Sequence, residues 1–238
     1  MDIQYLIDIF EIESRSLDML LRQHPLLRPL FIRRFRGVEL DALRQAYLQL
    51  LKLSADYVQY TVPALRAAGQ ALRHGDAEDQ RWSRLFLGYA ADETDTGADA
   101  STDHGHHLWA YDDMRALGAP DELIDAPPHP AAALYGKYFI DDAPRHPYAI
   151  LGAKGVLEHT AIRAADDLAR GVLDSNIPRA EHGTRFFYHH GVLDIDHVRD
   201  GDRNLNQLTH ITKCRQILEG AYMTSGTYRA LIHQVLPT

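Results

Sequence analysis

The sequence predicts an all-α protein, a bundle of about seven helices, on three observations. Apolar residues recur at helical spacing through most of the 238 residues. No run alternates apolar and polar residues for long enough to build a sheet. Prolines and glycine-containing turns divide the periodic stretches into pieces of ordinary helix length.

From Ile3 to about Arg22 the apolar residues Leu6, Ile7, Phe10, Ile12, Leu17, Leu20 and Leu21 fall mostly at helical spacing. Pro25 and Pro29 then predict a break followed by a short helix. A long helix is expected from Leu40 to His74, with Pro63 kinking or splitting it, and Gly75-Asp76 makes a turn. Trp82 to Glu93 reads as helix with Trp82, Leu85, Phe86 and Tyr89 inward. Residues 95–103 are small and polar, either a loop or a weak part of a longer helix. Periodicity resumes from His106 and ends at Gly118, with Pro120 as a stop. Pro127-Pro128-His129-Pro130 is a linker before a helix from Ala131 to Ile140. Pro147 opens a long helix to about Leu173, Pro178 is expected to start the next, and Gly201-Asp202-Arg203-Asn204 to turn the chain into a last helix over Leu205–Ile232.

The whole chain, residues 1–238, is expected to fold as a single domain. A net charge of −8 with no long basic run argues against a nucleic-acid surface. The single cysteine, Cys214, excludes an internal disulfide and a thiolate metal cage. Met1-Asp2-Ile3-Gln4 lacks the basic and apolar pattern of a signal peptide, and no apolar stretch approaches the ~20 residues of a membrane span. The expectation is a cytoplasmic protein without a nucleic-acid or membrane partner, acting on a small molecule, with a homodimer left open.

The 14 histidines need a role. His190, Asp194 and His197 sit four and then three residues apart in a run free of proline, so a helix places them on one stripe. Two imidazoles and a carboxylate suit Zn, Mn or Fe, and the same stripe could equally be a polar outer face. Glu158 lies mid-helix between small and apolar neighbours, where a carboxylate must be paired, metal-bound or turned to solvent. Lys154, one turn earlier, is the obvious partner. Gly152 and Gly155 each weaken that helix by roughly 1 kcal/mol, which suggests that something approaches it closely. A second dense patch, Asp103-His104-Gly105-His106-His107, follows Glu93. Trp109 and Asp113 on the side of His106 suggest a packed face with a supporting acid. Carboxylates and imidazoles from three helices are how a helical bundle assembles a two-metal site.

The motifs together carry a resemblance. An acidic residue precedes a glycine-bearing polar stretch and a His106-x-x-Trp109 run ending in Leu117-Gly118. Pro147 and Leu151-Gly152 lead into Leu157-Glu158, and His190-x-x-x-Asp194-x-x-His197 follows. This pattern resembles the heme-oxygenase-like diiron oxidases and oxygenases, whose fold is shared with pyrroloquinoline-quinone synthase and the thiaminase-like proteins. The resemblance runs over roughly residues 40 to 230. It implies a heme-oxygenase-like bundle, two Fe(2+) per chain with the second weakly held, and O2 as co-substrate. The substrates it implies are small molecules such as amino acids, fatty acids and aminobenzoate precursors, often in natural-product biosynthesis. Glu158, His190, Asp194 and His197 fall on the family's ligand positions. His106 is the best match for the remaining histidine and Glu93 for the carboxylate before it, with Asp99 and Asp103 as rivals. The glutamate that some members add from an earlier helix has no counterpart between Leu40 and His74. Lys154 is the candidate catalytic residue, either supporting Glu158 or meeting a substrate carboxylate.

Two other readings stand beside this one. A metal-free enzyme or binding protein of the same fold would act on an aromatic ligand; its thiaminase-like form would need Cys214 as a nucleophile. A helical scaffold would use its histidines only as surface groups.

Overall fold

The computed structural model describes residues 3–94 and 105–236, and among them every regular element is helical. The elements are α1 (Ile3–Gln23), α2 (Arg28–Ile32), α3 (Leu40–Val58), α4 (Thr61–Leu72), α5 (Ala77–Asp92) and α6 (His107–Ala116). They continue with α7 (Asp121–Ile124), α8 (Pro130–Ile140), α9 (Ala149–Asp174), α10 (Arg185–Leu205) and α11 (Ile211–Val235). This is a heme-oxygenase-like bundle. None of these helices is long and apolar enough to cross a membrane. The polar stretch after Glu93, with the rival ligands Asp99 and Asp103, lies outside the described residues.

Helix α9 is the axis. It packs against α10, α11, α1 and α2, while α4 pairs with α5 and α3 with α6 on the far side. Gly152 and Gly155 have the reason that their propensity cost suggested. A Cβ on Gly152 would run into the backbone carbonyl of Ile217 in α11, and one on Gly155 would strike the Phe10 ring of α1. Gly220 of α11 answers Gly152, since its own Cβ would meet the Ala149 carbonyl. The two helices therefore touch backbone to backbone, which fixes the level at which Glu158 projects.

Most element ends follow the chemistry of the sequence. The Asp76 carboxylate accepts from the Asp79 amide at 2.8 Å in a capping box that starts α5 ahead of Trp82. Gly118, at φ +73°, closes α6 in the left-handed region. The chain breaks just before Pro63, between α3 and α4, and the ring occupies the third position of α4, where its missing N–H leaves no helical bond unmade.

Two expected boundaries are wrong. Gly201-Asp202-Arg203-Asn204 does not turn the chain; α10 runs through it to Leu205 and the last helix begins at Ile211. Gly201 faces open space, and the exposed ion pairs Arg199–Asp196 and Arg203–Asp200 line the same stretch, so one unfavourable glycine does not end the helix. Pro178 does not start α10 either. A short 3-10 turn, Ala180–His182, intervenes, preceded by Arg179 in the left-handed region at φ 60°. Helix α10 begins where Asp113 of α6 can cap it, the Phe186 amide donating to its carboxylate at 2.8 Å. Asp113 thus ties α6 to α10 rather than supporting His106 directly.

Because both sides of the α9–α11 crossing are backbone, Gly152→Ala is expected to lower stability by about 2–3 kcal/mol, whereas Gly226→Ala, which meets nothing within 4 Å inside α11, is expected to raise it by roughly 0.5–1 kcal/mol. Urea midpoints of the two variants check this.

Candidate metal centre

Glu93 stands just past the last residue of α5, where the helix presents its partial negative charge, so a carboxylate there is disfavoured unless cations face it. Two groups answer it. The Lys154 cation has its Nζ 4.0 Å from Oε1, and the His106 ring supplies a hydrogen bond, its Nδ1 3.0 Å from Oε2. Lys154 also bonds Glu158 one turn along α9, so the Lys–Glu pair suggested by the spacing is present, with Glu93 as a third member. The ammonium group packs 4.9 Å from the centre of the Tyr89 ring, and Tyr89 in turn accepts from Asn204 at 2.8 Å.

Helix α10 closes the other side. His197 Nδ1 lies 3.4 Å from Glu158 Oε1 and 3.2 Å from Asp194 Oδ1. His190 donates from Nδ1 to the Phe186 carbonyl at 2.8 Å, which leaves Nε2 available as a ligand. Its ring stands edge-on to His106, 5.4 Å between centres, while His106 stacks on Trp109 at 4.2 Å. All six expected ligands and Lys154 therefore form one continuous chain of contacts. Within it, ligand atoms of Glu93, Glu158 and His197 lie within 4.8 Å of one another.

The electrostatics follow from burial. Glu158, His106 and Asp194 are each less than a tenth exposed. Burial alone pushes the Glu93 carboxyl up, but the His106 hydrogen bond and the charges of Lys154, His106 and His190 outweigh it and hold it at about 2. Burial likewise works against the Lys154 ammonium, and Glu158 and Glu93 reverse the effect and raise it. Hydrogen bonds to Asp194 and Glu158 raise His197 to about 10. Asp194 is raised by burial, which together with the charges of Glu158 and Glu93 outweighs its hydrogen bond to His197 and the charge of His190. Three carboxylates thus face the cations Lys154 and His197, and the last acid is undercompensated.

These donors fit a divalent iron or manganese ion. They are carboxylate oxygens and imidazole nitrogens without a thiolate, in a pocket short of positive charge. Cys214 does not line the neighbouring cavity, which removes the nucleophile that a thiaminase-like reaction would need. Glu93, Lys154, Glu158, His190 and Asp194 are part of the wall of that cavity. The rest is mainly aliphatic and aromatic. Spacing carries no sign of Tyr89 over Lys154 or of the tyrosines in the cavity wall, because aromatics at helical spacing read as core.

Removing Lys154 leaves two buried carboxylates facing each other. Metal-free Lys154→Met is expected to lose about 3–5 kcal/mol, the cost of breaking a buried pair on one side, and to regain more stability from added Fe(II) than the parent does. Thermal melts with and without Fe(II) measure both.

Comparison with known proteins agrees with the fold. A domain of unknown function with a heme oxygenase-like fold from Shewanella denitrificans OS217 superposes with a TM-score of 0.69 at 15% identity, covering 98% of this chain and 93% of that one. A CADD-like protein of unknown function from Nostoc punctiforme PCC 73102 gives 0.61 at 14% identity, covering 96% and 99%. A second crystal structure of a CADD-like protein from that organism gives 0.57 at 13%, covering 95% of each chain. No curated protein matches the sequence. The profile of the iron-containing redox enzymes matches residues 40–228, and the chain belongs to that family.

Proposed function

We propose that the cavity is the active site of an oxygen-activating non-heme oxidoreductase that holds two iron ions and oxidises or cleaves a small molecule. The observation that carries this reading is the buried, undercompensated acid and imidazole cluster at the wall of a largely apolar cavity. Glu93, His106, Glu158, His190, Asp194 and His197 would hold the ions. Iron bound there supplies the electrons and Lewis acidity that reduction of dioxygen requires.

The side chains of this protein supply the setting. His190 is fixed in one ring orientation by the Phe186 carbonyl, so its free nitrogen is aimed before any ion arrives. Lys154 keeps a proton on Nζ beside Glu158 and Glu93, where it neutralises both and competes with an ion for their oxygens. That competition agrees with a second ion held more weakly than the first. The apolar wall keeps bulk water from the acids and strengthens every charge interaction among them. The site class suits amino-acid-like or fatty-acid-like substrates.

A metal-free enzyme or binding protein is the rival, favoured by one fact: Lys154 and His197 already neutralise much of the cluster. Iron content separates the two. Protein loaded with Fe(II) under nitrogen is expected to retain about two irons per chain and to consume oxygen on exposure to air. His197→Ala is expected to cut that uptake by more than the roughly 10–100-fold that follows loss of an outer-shell partner. Retention of no iron, or unchanged uptake in the variant, contradicts the proposal.

A further inference from the structure

The cavity carries a second polar feature that the metal site does not use. Tyr57 of α3, Tyr135 of α8 and Tyr228 of α11 meet in its wall, with Tyr57 in the middle. Its ring stands edge-on to Tyr228 at 5.2 Å and to Tyr135 at 6.3 Å. The same three rings line a smaller cavity of about 170 Å³ on their other side, beside Thr224. The Tyr57 hydroxyl faces those of Ser54 and Tyr228, and the Tyr135 hydroxyl faces Thr224. Yet the Ser54 and Thr224 oxygens, both fully buried, close no hydrogen bond of good geometry. Five hydroxyls from three helices are thus gathered in an apolar interior with hydrogen-bonding capacity to spare. Leaving that capacity unused costs free energy, whereas filling the same positions with phenylalanine, alanine and valine would not.

The surroundings determine what could use it. Burial holds the Tyr228 phenol up at about 12, and the other groups acting on Tyr135 and Tyr228 are Thr224, Tyr57 and Ser54, none of them charged. Among the described residues the cations lining the cavity are Lys154 and, when protonated, His190, and both belong to the acid cluster. A carboxylate at the tyrosines would be stripped of water with no counter-ion, and so would an ammonium group. A neutral donor or acceptor would pair with the tyrosine hydroxyls that line the cavity without that penalty, while Ser54 and Thr224 stand behind them as their own partners. The wall also includes Leu65, Ile150, Leu157 and Leu168, which suit an aliphatic or flat apolar body.

We infer that the Tyr57–Tyr135–Tyr228 cluster is a substrate subsite for an uncharged hydrogen-bonding head, a hydroxyl or primary amide, on an apolar molecule whose other end reaches Glu93 and Glu158. The inference rests on the reading of this cavity as a substrate site and narrows the substrate class, excluding a free carboxylate at the tyrosine end.

Binding tests it apart from turnover. Octanamide, octan-1-ol, octanoate and octylamine are titrated calorimetrically into the full-length protein, both metal-free and Fe(II)-loaded under nitrogen. In the metal-free protein the amide and the alcohol are expected to bind at least roughly tenfold more tightly than octanoate, while octylamine, whose ammonium suits the acids at the other end, is expected to bind independently of the tyrosine hydroxyls. Tyr57→Phe and Tyr135→Phe keep the rings and delete only the hydroxyls. Each is expected to weaken octanamide by roughly three- to tenfold, the worth of one hydrogen bond, with iron content and melting temperature close to the parent. Octanoate binding to the metal-free parent as well as octanamide overturns the subsite, and so does octylamine binding that the tyrosine variants weaken, unchanged octanamide affinity in both variants, or no binding by any of the four. The comparison of the four ligands stands on the parent protein even if a variant fails to fold. Loss of iron uptake with the ligand ranking intact counts against the metal centre alone.

Discussion

Three carboxylates buried in one place cannot persist without positive charge beside them, and the architecture is arranged around that demand. Glu93 lies at the wrong end of a helix for an acid, Glu158 in the middle of the most buried helix, and Asp194 beneath His197. Lys154, His106 and His197 answer them. A purely structural core would have reached the same stability with apolar side chains of similar volume, as replacement of buried ion pairs elsewhere indicates. The cost of holding these acids together points to a role that apolar residues could not fill.

Backbone contacts set the positions. The α9–α11 crossing at Gly152 and Gly220 lets two main chains touch, so the level of Glu158 does not depend on how side chains settle. Asp113 caps α10 from α6, which couples the helix after His106 to the helix bearing His190, Asp194 and His197. Tyr47 of α3 adds a hydrogen bond to the Gly183 carbonyl at 3.1 Å, just before α10 begins. The cluster is thus built on helix bodies and capped ends, where side-chain placement is more exact than on loops.

Much of this was legible in the sequence, for identifiable reasons. Residues within one helix have a fixed geometry, so His190, Asp194 and His197 could be placed on one stripe, and Lys154 beside Glu158, from spacing alone. The cost of Gly152 and Gly155 in a helix announced a close approach before its partners were known. What depended on tertiary context was not legible. Gly201 and Pro178 carry local signals for a boundary, but helix ends are decided by whether a cap is available, and the cap of α10 comes from Asp113, 73 residues away in the chain. The tyrosines of the cavity looked like core because a core face and a cavity wall have the same periodicity. The union of Glu93 with His106 also needed the fold, since helical spacing does not relate residues on either side of an interrupted stretch.

Either the acid cluster is a place for metal ions, or it is a self-sufficient ion-pair network. Iron-edge anomalous diffraction from crystals loaded with Fe(II) under nitrogen addresses that directly. The expected result is anomalous density among Glu93, Glu158 and His197 and beside His190 and Asp194, with the Lys154 ammonium displaced from between the carboxylates. A loaded crystal with no anomalous density there, and Lys154 still bonded to Glu158, would contradict it.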